Sequence, residues 1–508
     1  MTRVIGNSSL SIEDVVNVAR NNEKVELSKE AKEKMKRSRA VVEKLIARRE
    51  KLYGISTGIG ELSDVFLTPE QVKDFQRYIV YSHAAGWGDP VAIDDARSAW
   101  LTRVNVLSKG FSGPRPIIVE TLVEMLNKGV TPVMCQKGSV GASGDLSPLA
   151  QGALVLLGEG EAFYRGRRLG GKDAMDRARI KTVSFEARDG LATINGSNLV
   201  AGMGCLQIHD ADILVKTSEI AAAMTLEALL PNMLAFDERI HRVRGYQGAI
   251  DCAENIRRMV ADSEILKQKP KKVQESYSLR STPQVVGAAK DTLGFARKMF
   301  ETEINGVGDN PLFFEDEGGI SLTGANFQGT PLAFALEFLG TALTTVGVIS
   351  ERRMNRLVNP NLSMGLPAFL TKGAGMFSGM MLAQYTAASL VAENRVLSTP
   401  AATGSIPTAA DQEDFVSMAM TSAIKTKEIL KNTSAIIAVE LMTAAQALDF
   451  RAPSKPGKGT QVALGAVRKH TSHLEEDRPL YPDIIKLSDA VKAGEVLATV
   501  ERTLGKLK

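Results

Sequence analysis

The sequence predicts a mainly α protein: a bundle of long helices with a smaller, mixed N-terminal domain that carries a small-residue loop. Three observations predict it. Apolar, proline-poor runs of helical spacing occupy roughly 198–230, 285–304, 331–356, 376–396 and 414–448, and several exceed the usual globular helix length. Short polar segments separate them, among them ESYSLRSTP, GDNPLFF, TGANFQGTP and TGSIPTAADQED. Before about residue 195 the chain instead alternates shorter helical stretches with glycine-rich segments. The expected domains are therefore 1–195 and 196–508, with the second forming the bundle.

Each element follows from local chemistry. The N-terminal MTRVIGNSSLSIEDV lacks the apolar core of a signal peptide. Residues 28–50 read as a charged amphipathic helix that stops before LYGISTGIGE, where glycines 54, 58 and 60 predict a mobile loop. AFYRGRRLG (162–170) reads as a hairpin turning near Gly166. The basic KQKPKK (267–272) reads as a solvated loop rather than a phosphate patch. Residues 373–392 carry no charge, yet Ser378, Gln384, Tyr385, Thr386 and Ser389 suit a packed interior helix better than a bilayer. A cytoplasmic protein is expected.

Composition excludes some functions. Of 508 residues, 62 are Lys or Arg and 58 are Asp or Glu, a formal charge of +4. Such a balance supplies no strong drive toward nucleic acid or membrane. Cys135, Cys205 and Cys252 are far apart and odd in number, which fits reduced structural thiols. The five histidines form no metal-ligand pattern, and the close pair in HTSH is by itself a weak metal signal.

The stretch KGSVGASGDLSPLAQGA (137–153) contains no histidine, cysteine or glutamate, only small residues around Ala142, Ser143 and Gly144. A linker has this composition. So does a loop whose backbone makes its own electrophile. Attack of the Gly144 nitrogen on the Ala142 carbonyl carbon closes a five-membered ring. Loss of two waters, one involving the Ser143 hydroxyl, leaves an exocyclic methylidene. The chemistry asks for glycine at 144 for close backbone approach, a β-hydroxyl at 143 and a small residue at 142.

GSVGASGDLSPLA resembles the signature of the aromatic amino acid ammonia-lyase and aminomutase family, which forms a 4-methylideneimidazole-5-one group (MIO) from Ala-Ser-Gly. The resemblance spans most of the chain. YGISTGIG (53–60), SHAAG (82–86), INGSN (194–198), YSLRSTPQVVG (277–287), GDNPLF (308–313), GANFQGTP (324–331) and AENRVL (392–397) also fit. Ser82-His83, SGMMLAQ around Met381 and QED around Glu413 are most similar to the histidine-specific members.

The resemblance implies β-elimination of ammonia from an aromatic amino acid, here L-histidine to trans-urocanate. Ammonia leaves poorly and the β-proton is barely acidic, so the reaction needs an electrophile for the amine and a base for the proton. Tyr53 is the candidate base on a lid; a packed loop-edge aromatic is the structural alternative. Arg280 suits a carboxylate through paired hydrogen bonds. Tyr277 is placed near the MIO or in proton handling. Asn195 is read as an amide donor to the MIO oxygen, Asn326 and Gln328 as lining. Asp145 either assists ring formation or caps the helix that follows it. His83, Met381 and Glu413 shape the side-chain pocket. A carboxylate at 413 suits imidazole and would be a desolvated liability against phenyl.

Gln328 and Phe415 depart from the histidine pattern, where histidine is the commoner residue at both places. A phenylalanine or tyrosine lyase and an aromatic 2,3-aminomutase stay open as alternatives. A non-catalytic helical assembly protein on the same scaffold is the rival of another class. The resemblance further implies a homotetramer whose active sites each draw on three chains, with no metal and no diffusible cofactor.

Overall fold

The computed structural model describes residues 2–267 and 272–508; positions 268–271 of the basic run lie outside the described residues. The long runs form helices Asn198–Ala228, Thr282–Asn305, Thr330–Val358, Met381–Leu397 and Ala419–Asp449. The last two start later than their apolar patterns do. Asp477 takes the Ser378 and Gly379 N–H groups at 2.7 and 2.9 Å, and Gly379 is left-handed at φ 56°. Met418 is likewise left-handed at φ 55°, with its N–H on the Val140 carbonyl at 2.9 Å. Helix Thr330–Val358 is long and apolar enough to cross a membrane, and 67% of its most apolar window is buried inside the protein, as in a core helix.

The chain divides into two compact units, each assembled from three stretches. The first comprises Met1–His209, Ala296–Glu337 and Pro400–Ile424; the second comprises Asp210–Phe295, Phe338–Thr399 and Lys425–Lys508.

All strands of the described residues fall in the first unit and are short. Thr2–Ile5 pairs in parallel with Lys24–Leu27. Glu161–Tyr164 and Arg167–Gly170 form the expected hairpin around left-handed Arg165 and Gly166. Ser28 caps helix Lys29–Ala47, whose Val41, Val42 and Leu45 pack with Leu52, Ile55 and Phe313. Leu52 and Ile55 thus fasten the Tyr53 loop on both sides, and the Thr57–Phe66 bridge closes it. Leu62 and Phe66 stay exposed at its outer end. Helix Ile93–Ser108 is buried even at Arg97, which donates to the Val18, Ala19 and Leu126 carbonyls at 2.7, 3.0 and 3.0 Å. One cation thereby satisfies the C-terminal ends of helices Ile12–Arg20 and Pro116–Lys128.

The second unit is helical. Its core holds Glu440, which accepts two hydrogen bonds from Arg353 at 2.6 and 2.7 Å and others from Thr225 and Ser350. A buried ion pair needs this full set of partners to offset its desolvation. Phe295, Phe338, Leu382, Tyr385 and Val396 are exposed. The two HTSH histidines each meet a carboxylate, His470 with Glu495 at 3.3 Å and His473 with Asp449 at 2.7 Å.

Candidate active site

The loop after strand Cys135–Lys137 turns through left-handed Gly141 (φ 82°), Ser143 (φ 55°) and Gly144 (φ 82°). Ser143 is a non-glycine residue in a region that costs about 1–3 kcal/mol, so its surroundings must hold it there. They do so through Gly196. The Gly196 N–H donates to the Ser143 carbonyl at 3.1 Å, and the Asp145 N–H donates to the Gly196 carbonyl at 2.9 Å. A Cβ at residue 144 would lie 2.1 Å from the Gly196 carbonyl carbon. Only glycine fits this approach.

Asp145 is fully buried and does not cap its own helix, Leu146–Leu154. Its carboxylate accepts from the Val200 N–H at 3.0 Å and from Ser139 at 3.2 Å, and so caps helix Asn198–Ala228. Of the two roles open in the sequence, capping is present, but for a different helix. Burial pushes Asp145 up to about 6 despite those bonds. Burial, then the Asp145 charge, pushes Glu303 up to about 7.

The Ser143 hydroxyl donates to Glu413 at 3.1 Å. Glu413 also accepts from Thr408 Oγ1 at 3.2 Å, and the two residues exchange backbone hydrogen bonds across left-handed Ala409, Ala410 and Asp411. Tyr53 is half-buried, and its hydroxyl oxygen accepts from the Gly60 N–H at 3.0 Å. Burial raises the Tyr53 phenol above its usual value and the Glu413 charge adds to this; the Gly60 bond and the Arg188 charge oppose it. His83 ends helix Pro69–His83, with Nδ1 2.8 Å from the Ile79 carbonyl. A carbonyl only accepts, so Nδ1 carries the proton and Nε2 of the neutral ring is an acceptor. Burial lowers the His83 pKa, against the Ile79 carbonyl and the Glu413 charge.

Asn195 is buried and its Nδ2 donates to the Asn310 carbonyl at 2.6 Å. Gln328 accepts from Thr330 at 3.1 Å; Asn326 is exposed and donates over a long 3.4 Å to the Val307 carbonyl. The segment they flank is tied to the INGSN motif, since Ser197 donates to the Phe327 carbonyl at 2.9 Å. The first unit therefore brings Tyr53, His83, Ser143 and Glu413 into one electrostatic neighbourhood. Asn195 adjoins the Gly196 support of Ser143. Arg188, Arg103 and Asp309, which sequence reasoning did not single out, lie fully buried beside Asn310.

Tyr277, Arg280 and Met381 belong to the second unit. The Arg280 guanidinium stacks 4.7 Å from the ring centre of Tyr277, which is 72% exposed. Arg280 Nε is buried without a partner among the described residues, and the side chain lines a cavity of about 460 Å³ with Asn232, Arg244 and Gln284. Met381 is the half-buried first residue of helix Met381–Leu397.

Polar groups thus gather around a strained loop. Residues 10–469 match the model of the aromatic amino acid lyase family. The chain is 45% identical to the histidine ammonia-lyase of Alkaliphilus oremlandii over 99% of both proteins. Among solved structures it is similar to a tyrosine aminomutase from Streptomyces globisporus (TM-score 0.96, 36% identity, all of both chains). It is also similar to a histidine ammonia-lyase from Trypanosoma cruzi (TM-score 0.92, 34% identity, 99% of this chain and 96% of that one). The chain is a carbon–nitrogen lyase. It belongs to the aromatic amino acid lyase family.

Proposed function

We propose that this lyase eliminates ammonia from L-histidine to give trans-urocanate, using an MIO electrophile formed from Ala142, Ser143 and Gly144. The observation that carries the reading is the loop itself. Ser143 and Gly144 are both left-handed, and Gly144 is pressed against Gly196 where no side chain fits. Left-handed backbone at both positions is the freedom that ring closure between residues 142 and 144 asks for, and the Gly196 contact supports the loop in that shape. The group, once formed, supplies an electrophile that captures the amine and turns it into a better leaving group.

The chain's own residues do the rest. Tyr53 removes the β-proton, and the Gly60 N–H steadies the oxygen as it takes on charge. Glu413 and the Nε2 of His83 present two acceptors to a protonated imidazole, which carries two N–H donors; a phenyl ring offers neither acceptor a partner. Arg280 binds the substrate carboxylate, Tyr277 stacks against its guanidinium, and Met381 fills the pocket wall. Asn326 and Gln328 line the carboxylate or the MIO side.

An aromatic 2,3-aminomutase is the second reading, favoured by the Streptomyces globisporus likeness; Gln328 bears on the substrate, since it departs from the histidine pattern. We place the protein in the cytoplasm as a homotetramer with shared active sites. Exposed Phe338, Leu382, Tyr385 and Val396 give a further copy apolar surface to cover.

The test is turnover of histidine, phenylalanine and tyrosine separately, followed by ultraviolet absorbance of the unsaturated acid, with chromatography for β-amino acid. Histidine is expected to turn over to urocanate alone. Turnover of phenylalanine or tyrosine without histidine overturns the substrate; β-amino acid as the main product overturns the lyase outcome.

A further inference from the structure

Arg188 is a left-handed residue (φ 76°) at the start of helix Asp189–Ile194, with its side chain fully buried. The guanidinium donates to the carbonyls of Ser112 at 2.8 Å, Asn310 at 3.1 Å and Pro311 at 3.2 Å, and to Asp309 Oδ2 at 2.8 Å. Buried Arg103 meets the same carboxylate at 3.3 Å. Two guanidinium groups on one carboxylate make a demanding interior, and the backbone carbonyls complete it.

The consequence falls on the Asn310 carbonyl, which accepts from Arg188 Nη1 and from Asn195 Nδ2. A carbonyl cannot donate, so the edge of the Asn195 amide that meets it must be the NH₂. Oδ1 is therefore fixed at the other edge. It is buried and has no donor among the described residues, a costly state for an acceptor. The next residue, Gly196, holds the Ser143 carbonyl.

We propose that Asn195 Oδ1 accepts an N–H from the α-amino nitrogen of the substrate, and that Arg188 is the positioning residue that sets this orientation through the Asn310 carbonyl. This adds an acceptor role to a residue whose sequence reading was that of a donor. It rests on the ammonia-lyase reading, because it needs an amine at this place.

Binding to the Ser143→Ala protein, which lacks the hydroxyl lost in forming the proposed electrophile, separates the two. Calorimetry would compare L-histidine with 3-(imidazol-4-yl)propanoate, the same skeleton without the amine. Asn195→Ala is expected to weaken histidine roughly tenfold or more, the scale of a hydrogen bond to a charged group, and to leave the propanoate within about twofold. Arg188→Lys keeps the charge but loses the fork, and is expected to act in the same direction on histidine alone. Equal weakening of both ligands, or unweakened histidine, overturns the proposal. If Arg188→Lys fails to fold, Asp309→Asn loosens the same clamp and is read by the same pair of ligands. Should the Ser143→Ala parent bind phenylalanine and not histidine, the substrate reading fails. L-phenylalanine and 3-phenylpropanoate then carry this test unchanged.

Discussion

Ser143 Oγ lies 3.1 Å from Glu413 Oε1, across 270 residues of sequence. The same carboxylate raises the Tyr53 phenol and opposes the lowering of His83 by burial. One side chain thus faces the loop, the proposed base and the proposed pocket histidine.

Glu413→Gln should change which substrate is preferred. The variant keeps the size of the side chain but loses the charge, so histidine should suffer about a ten- to hundredfold loss in kcat/KM, while phenylalanine is unaffected or improved. The comparison is kcat/KM for both amino acids. A parallel loss for both would remove Glu413 from substrate selection.

Tyr53→Phe should lower kcat by roughly 100- to 10,000-fold, the range for loss of a general base, with the electrophile still formed. Because burial raises the phenol above its usual 10, its basic form grows as pH rises, and kcat/KM should climb toward alkaline pH. Glu413→Gln removes one cause of that raising, so the climb should begin at lower pH. An unmoved profile contradicts the coupling of these two residues.

Gly144→Ala should destabilise the protein by about 2–5 kcal/mol, combining left-handed strain with overpacking, because its Cβ would lie 2.1 Å from the Gly196 carbonyl carbon. Urea unfolding measures it. A stability close to the parent would show that the loop yields easily and is not held by Gly196.

Asp145 and Glu303 predict a pH dependence of stability. Both carboxyls are raised by burial, to about 6 and about 7, so each binds its proton more tightly folded than unfolded. Stability should fall as pH climbs from the unfolded values near 4 through these folded values, by at most about 3–4 kcal/mol per group, and the loss is complete above them. Glu303→Gln should flatten the fall between about pH 5 and 7.5. Unfolding midpoints across that range decide it; a slope equal to the parent's would mean Glu303 does not titrate there.

Much of this was legible in the sequence. The long helices stand where apolar spacing put them, and the hairpin turns at Gly166, because periodicity and turn chemistry are local. The two helix starts at Met381 and Ala419 were not local: the turn before the first depends on Asp477, and Met418 on Val140. Asp145 precedes a helix in sequence, yet its carboxylate serves the helix at Asn198, a choice made by tertiary approach. Arg188 was invisible for a similar reason, since a buried arginine on backbone carbonyls is written with the same letter as a solvated one. Segments 296–337 and 400–424 return to the first unit, which no single boundary in the sequence expresses. The candidate site residues were named by motif; which of them share a neighbourhood required the fold.

The central claim is that Ala142, Ser143 and Gly144 become the electrophile. Ser143→Ala is expected to stay folded and lose activity to the detection limit, but the mass of the unmutated protein tests the claim more directly. Intact mass with peptide mapping should give a protein lighter by two waters, with the deficit in the peptide that contains Ser143. Full, unmodified mass in correctly folded protein would contradict it.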